Sequence, residues 1–128
     1  KGLMSVDDAK KAVDIGASAI MLSNHGGRQL DGSRSPFDQL PAIVDAVGGK
    51  IEIIVDGGIR RGTHVLKALA LGATACSFGK GFLFALGAGG QKGVEMVLQR
   101  MKDEIRRDMI LMGCKSMKEL NPSKIAYR

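Results

Sequence analysis

Ser23-Asn24-His25-Gly26-Gly27-Arg28-Gln29-Leu30-Asp31 is a polar, glycine-containing stretch that directly follows the apolar run Ala19-Ile20-Met21-Leu22. The pattern predicts a short buried strand, Ala19 to Leu22, that ends in a polar loop. In α/β folds the chemistry lies at the carboxyl ends of parallel strands, so His25 and Arg28 are expected at a functional edge. Histidine exchanges a proton near neutral pH, and arginine grips a carboxylate in two places. The stretch predicts a general base beside an anion clamp, with an ordinary solvated loop as the alternative.

Two further units of the same kind follow along the chain. Ile51 to Val55 predicts a second strand that runs into Asp56-Gly57-Gly58-Ile59-Arg60-Arg61-Gly62, and Ala73 to Phe78 predicts a third that ends in Gly79-Lys80-Gly81. Each unit continues into a helical pattern, and the units recur at intervals of roughly 30 residues. This repetition is typical of a β/α barrel or of an open doubly wound sheet.

Helical periodicity marks the segments between and beside the strands. The predicted helices are Val6–Ile15, Phe37–Val47, Thr63–Leu71, Phe82–Leu86 and Gly93–Met112. Ser5 and Asp8 predict a capping box at the first helix, and Pro41 interrupts the first turn of the second. Ser116 to Arg128 is predicted to be a short helical turn and a tail.

The last long helix has an apolar stripe at spacings of three and four residues. Its members are Val94, Val97, Leu98, Met101, Ile105, Met109 and Met112. Methionines at this spacing fill a core more often than they bind a ligand, so we expect core packing here.

Composition bounds the class of protein. The 128 residues, 45% of them apolar, suffice for one domain or part of one. The net charge of +6 is spread along the chain with few aromatic residues, which favours an anionic small ligand over nucleic acid. Cys76 and Cys114 are too few for a metal cage and are expected to be free thiols, so no metal site is predicted. No apolar run approaches the ~20 residues that cross a bilayer, and we expect a soluble, cytoplasmic chain.

The second and third strand-end loops have the composition of a phosphate cradle. Gly57, Gly58 and Gly79 let backbone N–H groups approach an anion, and the following helix N-termini add partial positive charge. Arg60 and Lys80 supply full charges. Asp56 could instead be a turn or capping aspartate.

Four segments of this chain together resemble the FMN-dependent 2-hydroxy acid oxidase and dehydrogenase family, which includes glycolate oxidase, lactate oxidase, flavocytochrome b2 and mandelate dehydrogenase. The segments are Lys1-Gly2, Ser23 to Asp31, Asp56 to Gly62, and Lys67-Ala68-Leu69-Ala70-Leu71-Gly72-Ala73. The resemblance covers nearly the whole chain. It implies that residues 1–128 form the carboxyl-terminal half of a (β/α)8 TIM barrel, with strands six to eight and their helices.

The resemblance also assigns roles to individual residues. It makes His25 the active-site base and Arg28 the clamp on the substrate carboxylate. It implies that an FMN cofactor contacts the residues Lys1, Ser23, Asp56, Gly57, Gly58, Ile59, Arg60, Gly79 and Lys80. Lys1 would lie at the N1/O2 edge of the flavin, Ser23 against the flavin, Asp56 at the ribityl chain, and Gly58, Arg60, Gly79 and Lys80 at the phosphate.

One position departs from the family pattern. The family usually has arginine, often followed by proline, where this chain has Lys80-Gly81. Lysine keeps the charge but lacks the two-pronged guanidinium. His64 matches no family site and is expected to be solvated.

The implied reaction is two-electron oxidation of an (S)-2-hydroxy acid, such as lactate, glycolate or mandelate, to the 2-oxo acid with reduction of FMN. The implied partners are a separate electron acceptor (oxygen, a quinone or a cytochrome), the amino-terminal half of the barrel and further copies in a homo-oligomer. Some family members associate with membranes through a segment outside the part matched here. The alternatives are another FMN-binding TIM-barrel enzyme and a non-catalytic half-barrel for phosphate ligands or assembly.

Overall fold

The computed structural model describes residues 1–126, and the last two residues of the predicted tail lie outside this range. Within it, helices and strands alternate along the chain. They are α1 (Val6–Asp14), β1 (Ala19–Ser23), α2 (Pro36–Val47), β2 (Glu52–Asp56), α3 (Gly62–Ala70), β3 (Ala75–Ser77) and α4 (Lys80–Leu111). Short 3-10 turns occupy His25–Gly27, Met117–Glu119 and Pro122–Lys124. The three predicted strand–loop–helix units are confirmed.

The strands form a parallel sheet in the order β1-β2-β3. In its register Ser23 lies opposite Asp56, and Asp56 lies opposite Ser77. This register brings the carboxyl ends of all three strands level with one another. β3 is shorter than the predicted Ala73 to Phe78, and just before its start the Thr74 hydroxyl, in place of a backbone carbonyl, accepts the Ile53 N–H at 3.1 Å.

The helices bury one face of this sheet. Side chains alternate between the two faces of a strand, and the buried face carries Ile20 and Leu22 of β1 with Ile53 and Val55 of β2. They pack with the α1 and α2 side chains Ala9, Ala12, Leu40, Ile43 and Val47. Burying each large aliphatic side chain contributes about 1.5–3 kcal/mol, so this layer holds the units together.

The opposite face of the sheet carries two layers of different character. Alternation places Met21 and Ile54 in an apolar layer, and Ser23, Asp56 and Ser77 in a polar layer at the carboxyl edge. The polar layer is largely sealed, since Ser23 is 1% and Asp56 8% exposed. The chemistry predicted at the strand ends thus begins inside the sheet.

The residues before α1 run beside β1. Leu3 forms a parallel bridge with Leu22, and the Gly2 N–H donates to the Met21 carbonyl at 3.0 Å. On the other side, no strand within residues 1–126 pairs with the outer edge of β3. The sheet is therefore an open one, as expected of part of a barrel.

Helix starts follow the sequence with small adjustments. Ser5 caps α1 by accepting the Asp8 N–H at 3.1 Å, while the Asp8 carboxylate accepts from the Ser5 hydroxyl rather than from its backbone N–H. α2 begins at Pro36 and continues through Pro41, because Ser35 caps it and Pro36 occupies the first turn, where no N–H is needed.

α4 is interrupted at Gly89 and Gly90, whose backbone angles are not helical. This confirms the predicted break between two helical segments. The expected core stripe is confirmed for Met101, which is buried, but it is wrong for Leu98, which is 44% exposed. A carboxylate, Glu104, is buried on this helix instead.

Within the described residues no helix combines the length and the apolar character needed to cross a bilayer.

We predict that residues 1–128 expressed alone self-associate. The start of α4 exposes a cluster of apolar side chains, with Leu83 54% and Phe84 72% exposed, beside an unpaired sheet edge. Replacing Leu83 and Phe84 by lysine should weaken association at least tenfold, because each removes about 1.5–3 kcal/mol of apolar burial. Sedimentation velocity over a concentration series measures this.

Met96→Lys is the matched control, since Met96 is also exposed on α4 but lies beyond the interruption. It should leave association unchanged. A monodisperse monomer with a cooperative melt would contradict the prediction.

Candidate active site

A cleft of about 650 Å3 opens at the carboxyl edge of the sheet, within the usual size for a small-molecule site. The sequence-predicted residues that line it are Lys1, His25, Arg28, Asp56, Gly57, Gly58, Ile59, Arg60, Gly79 and Lys80. Ser23 lies beneath it, in contact with Asp56. The structure therefore brings all three strand-end loops to one place, as predicted.

His25 is held in a left-handed backbone conformation with φ of 55°. Non-glycine residues rarely adopt this conformation, which concentrates at functional sites. Two side chains fix the turn: the Ser23 hydroxyl accepts the His25 N–H at 3.1 Å, and the Asn24 carboxamide oxygen accepts the Gly26 N–H at 3.0 Å. The turn leaves the His25 side chain exposed at the cleft.

Gly2 gives the imidazole its space. A Cβ on Gly2 would lie 2.7 Å from Cε1 of His25, and φ at Gly2 is 95°. Sequence reasoning missed this contact and that of Asn24, because neither residue carries titratable chemistry. The Asn-to-Gly spacing typical of a side-chain-capped turn was the available signal for Asn24.

Asp56 is the centre of a buried polar cluster. Its Oδ2 accepts from the Ser23 hydroxyl at 2.6 Å and forms an ion pair with Nζ of Lys1 at 2.9 Å. Burial alone would raise the pKa of Asp56, but the hydrogen bonds from Ser23, Lys1 and Ser77 outweigh it and hold that pKa below its ordinary value. Asp56 therefore stays ionised and fixes the Lys1 ammonium at the cleft.

The Asp56–Gly62 loop turns on two glycines in positive φ, Gly57 at 110° and Gly58 at 74°. The Ile59 side chain is 2% exposed, so this residue meets the cleft mainly through its backbone. Nδ1 of His64 accepts the Arg60 N–H at 3.2 Å. The expectation that His64 is merely solvated is wrong, because its partly buried ring holds the loop.

The third loop reaches across to the first. Nζ of Lys80 donates to the Gly26 carbonyl at 2.9 Å, which links the end of β3 to the turn that carries His25. Among the described residues, no carboxylate pairs with Arg28, Arg60 or Lys80. Cations that line a cleft without acidic partners fit an anionic ligand.

Glu104 supports the second loop from behind and was not predicted. Its carboxylate accepts the Gly62 N–H at 2.8 Å and bonds Arg61 and Arg100. The Gly62 N–H, the largest cause, lowers the pKa of Glu104 to about 2, with Arg61 and Arg100 adding to it against burial. The available signal was a glutamate placed between Met101 and Ile105 of an apolar stripe.

The two cysteines, Cys76 and Cys114, are free, as predicted. Burial raises the pKa of the Cys76 thiol to about 11.

Known proteins resemble this chain over nearly its whole length. A family model described as FMN-dependent dehydrogenase matches residues 1–127. L-lactate oxidase of Nostoc sp. is 50% identical over 123 residues, which is 96% of this chain and 34% of that protein. Human 2-hydroxyacid oxidase 1 is 48% identical over 125 residues, 98% of this chain and 34% of that protein. Pre-mycofactocin synthase of Mycobacterium tuberculosis is 50% identical over 125 residues, 98% of this chain and 32% of that protein.

Solved structures give the same result. The crystal structure of mandelate oxidase with benzoyl-formic acid matches with a TM-score of 0.88 at 50% identity, over 91% of this chain and 35% of that one. A mandelate oxidase mutant with the monooxide FMN adduct matches with a TM-score of 0.87 at 50% identity, over 91% of this chain and 37% of that one. The open sheet is therefore part of a TIM barrel, as predicted. The chain spans about a third of the length of the curated relatives it matches.

We predict that Ser23→Ala raises the pKa of Asp56, because the hydroxyl is the closest donor to its carboxylate. The variant should lose about 1–2 kcal/mol of unfolding free energy at neutral pH, the cost of an unmade buried hydrogen bond. The lowered pKa of Asp56 contributes stability above the ordinary value of 3.8, and that contribution is lost as pH falls through the lowered value. The deficit of the variant should therefore shrink in acid.

Carboxyl-carbon NMR titration and denaturant unfolding at several pH values measure these two effects in the purified protein that contains this chain. Ser18→Ala is the control, since Ser18 is exposed at the opposite end of the sheet. An equal deficit at all pH values would show that Ser23 acts only through packing.

Proposed function

Because this chain belongs to the family of FMN-dependent dehydrogenases, we propose that it supplies the base and the carboxylate clamp of an enzyme that oxidises an (S)-2-hydroxy acid. The substrate types in this proposal are lactate, glycolate and mandelate. The observation that supports this proposal is the joint placement of His25 and Arg28 on one exposed turn at the cleft, with no carboxylate among the described residues to neutralise Arg28.

Arg28 is suited to the substrate carboxylate. It follows the His25–Gly27 turn, is exposed to solvent and lines the cleft. A guanidinium binds a carboxylate through two parallel hydrogen bonds, which fixes the orientation of the acid as well as its position. The carbon that bears the hydroxyl is then held close to His25, three positions earlier in the chain.

His25 takes up one proton from the substrate as the hydroxyl-bearing carbon is oxidised. The two routes, removal of the proton from that carbon or from the hydroxyl, both need the imidazole in the same place. When bound, the flavin would accept the two electrons that leave the substrate, which no side chain can do, together with the second proton lost as the hydroxyl becomes a carbonyl. The Ser23 hydroxyl and the Asn24 carboxamide hold the backbone of the His25 turn, which keeps the Cα of the base in place at the cleft.

The residues at the cleft fit FMN by their donor chemistry. Arg60 and Lys80 would hold the phosphate, together with the N–H groups of the glycine turns at Gly57, Gly58 and Gly79. Lys1, fixed by Asp56, would place a positive charge at the flavin ring. Lys80 also binds the Gly26 carbonyl, and its three N–H donors allow a second partner.

In this proposal, the remaining walls of the cleft are formed by a part of the protein outside the described residues. The open sheet and the exposed apolar start of α4 require further strands and helices, supplied by the amino-terminal half of a barrel outside the described residues. A homo-oligomer, a separate electron acceptor and a cytoplasmic location stay predictions.

We expect flavin in the holoenzyme that contains this chain to bleach when one of the 2-hydroxy acids is added without oxygen. His25→Gln should retain FMN but slow flavin reduction by ~100-fold or more, the size of lost general-base catalysis. Stopped-flow absorbance at the flavin band measures the rate.

The control is photochemical reduction of the same variant, which does not need the base and should proceed normally. A wild-type flavin that no 2-hydroxy acid reduces would favour another FMN enzyme, such as one acting on the substrate of pre-mycofactocin synthase, and a chain without flavin would favour a non-catalytic module. Reduction of His25→Gln within a few-fold of wild type would remove His25 from its role.

Arg28→Lys should impair substrate use although the charge is kept, because one ammonium cannot reproduce a two-point carboxylate contact. We expect apparent affinity to fall by about tenfold, with FMN still bound, as measured by titrating flavin reduction against substrate concentration. Arg34→Lys is the matched control, since Arg34 is exposed and does not line the cleft. Unchanged affinity and rate in Arg28→Lys would place the carboxylate elsewhere.

A further inference from the structure

Glu104 lies on α4 but serves the start of α3. Its Oε2 accepts the Gly62 N–H at 2.8 Å, and its Oε1 accepts from Nη2 and Nε of Arg61 at 3.1 and 3.2 Å and from Nε of Arg100 at 3.2 Å. The residue is 5% exposed, so the carboxylate depends on these partners for its solvation. One side chain thus joins two helices through four N–H donors.

The contact replaces a local cap. Arg61 occupies the N-cap position of α3 and makes no capping hydrogen bond with its own side chain. A free helix N-terminus leaves N–H groups unsatisfied, and here the carboxylate of a residue 42 positions later binds the first of them. Glu104 therefore supplies the cap that the residue at the N-cap position of α3 does not.

Gly62 makes this approach possible. A Cβ at this position would lie 2.7 Å from Cβ of Glu104, 2.7 Å from the Ile105 nitrogen and 2.8 Å from the Met101 carbonyl oxygen. The start of α3 therefore rests directly on the α4 backbone. The position of the loop before it is set by α4 and not by the loop alone.

That loop carries the anion-binding groups of the proposed function. Arg60 precedes Arg61, and its N–H is bound by Nδ1 of His64 on α3. Glu104 also pairs with the side chain of Arg61, whereas no carboxylate among the described residues pairs with Arg60. Of the two neighbouring arginines, Arg61 therefore pairs with Glu104 on α4, whereas Arg60 lines the cleft.

We propose that Glu104 is a positioning residue for the phosphate end of the cofactor, acting through Gly62 and Arg61 to fix the turn that presents Arg60. The inference rests on the proposed function, because it assumes that FMN phosphate binds at this turn. Its ionised state over the working pH range follows from the lowered pKa of the Glu104 carboxyl.

A substitution of Glu104 has two opposing effects on phosphate binding, so the direction of the change in affinity is informative. Removing the Glu104 charge frees Arg61 and Arg100, which by charge alone would strengthen binding of an anion. Removing the contact loosens the turn and weakens binding of a phosphate that needs Arg60 and the glycine N–H groups in place. The positioning role requires the second effect to exceed the first.

The experiment compares FMN with riboflavin, which lacks the phosphate. Dissociation constants of both flavins are measured by fluorescence titration of the apoprotein of the full enzyme, in wild type, Glu104→Gln and Glu104→Asp. We expect the ratio of the FMN to the riboflavin dissociation constant to rise about tenfold in Glu104→Gln, comparable to loss of an outer partner at a metal site. Glu104→Asp keeps the charge but is too short to reach Gly62 and Arg61 in the same way, so it should also raise the ratio. If Glu104→Gln does not fold, Glu104→Asp alone tests the positioning role.

Two controls bracket the result. Asp103→Asn changes an exposed acid on the same helix, bonded only to Gln99 among the described residues, and should leave the ratio unchanged. Arg60→Ala should raise the ratio more than either Glu104 variant. Equal weakening of both flavins, an unchanged ratio or a lower ratio in the Glu104 variants would overturn the positioning role. A wild-type ratio near one would instead overturn the proposed phosphate site, and this inference with it.

Discussion

The in-register pairing of three parallel strands is the constraint on which the site depends. It places Ser23 opposite Asp56 and Asp56 opposite Ser77, so one polar layer crosses the inner face of the sheet at its carboxyl edge. A slip of one residue would turn these side chains toward the helices and would put Leu22 and Val55 in their place. The burial of Leu22 and Val55 against α1 and α2 therefore fixes the polar layer as firmly as the hydrogen bonds within it do.

From this layer the structure builds outward by short contacts. The Ser23 hydroxyl donates to Asp56 and accepts from the His25 N–H, so a single side chain ties the ionised carboxylate to the turn that carries the base. Asp56 in turn holds Lys1, and Lys80 holds the Gly26 carbonyl. The groups at the cleft are thus held by one another and by the buried polar layer beneath them.

The three strand–loop–helix units, and the polar residues at their strand ends, could be predicted because their signals are local; the barrel itself was implied by the family resemblance. Alternation and apolar runs mark β1 and β2 to within one residue, and glycines at strand ends mark the loops. His25 and Arg28 stand out by residue type. The contacts of Gly2 with His25, of Lys80 with Gly26 and of Glu104 with Gly62 join residues far apart in the chain, and no periodicity encodes them. Glu104 shows the difference most clearly, because on a helical wheel it lies at the border of the apolar stripe, where an acid is unremarkable, and only the packing of α3 on α4 explains its burial.

The net charge of +6 alone could suit many acidic partners. The basic residues in and beside the cleft differ, however, in whether a carboxylate pairs with them. Lys1 is held by Asp56 and Arg61 by Glu104, and both acids have lowered pKa values. Arg28 and Arg60 have no such partner among residues 1–126 and face the cleft from different loops. Two unpaired guanidinium groups on different loops suit the proposed pair of anions, a substrate carboxylate and a cofactor phosphate, better than a continuous polyanion, which needs an uninterrupted basic surface.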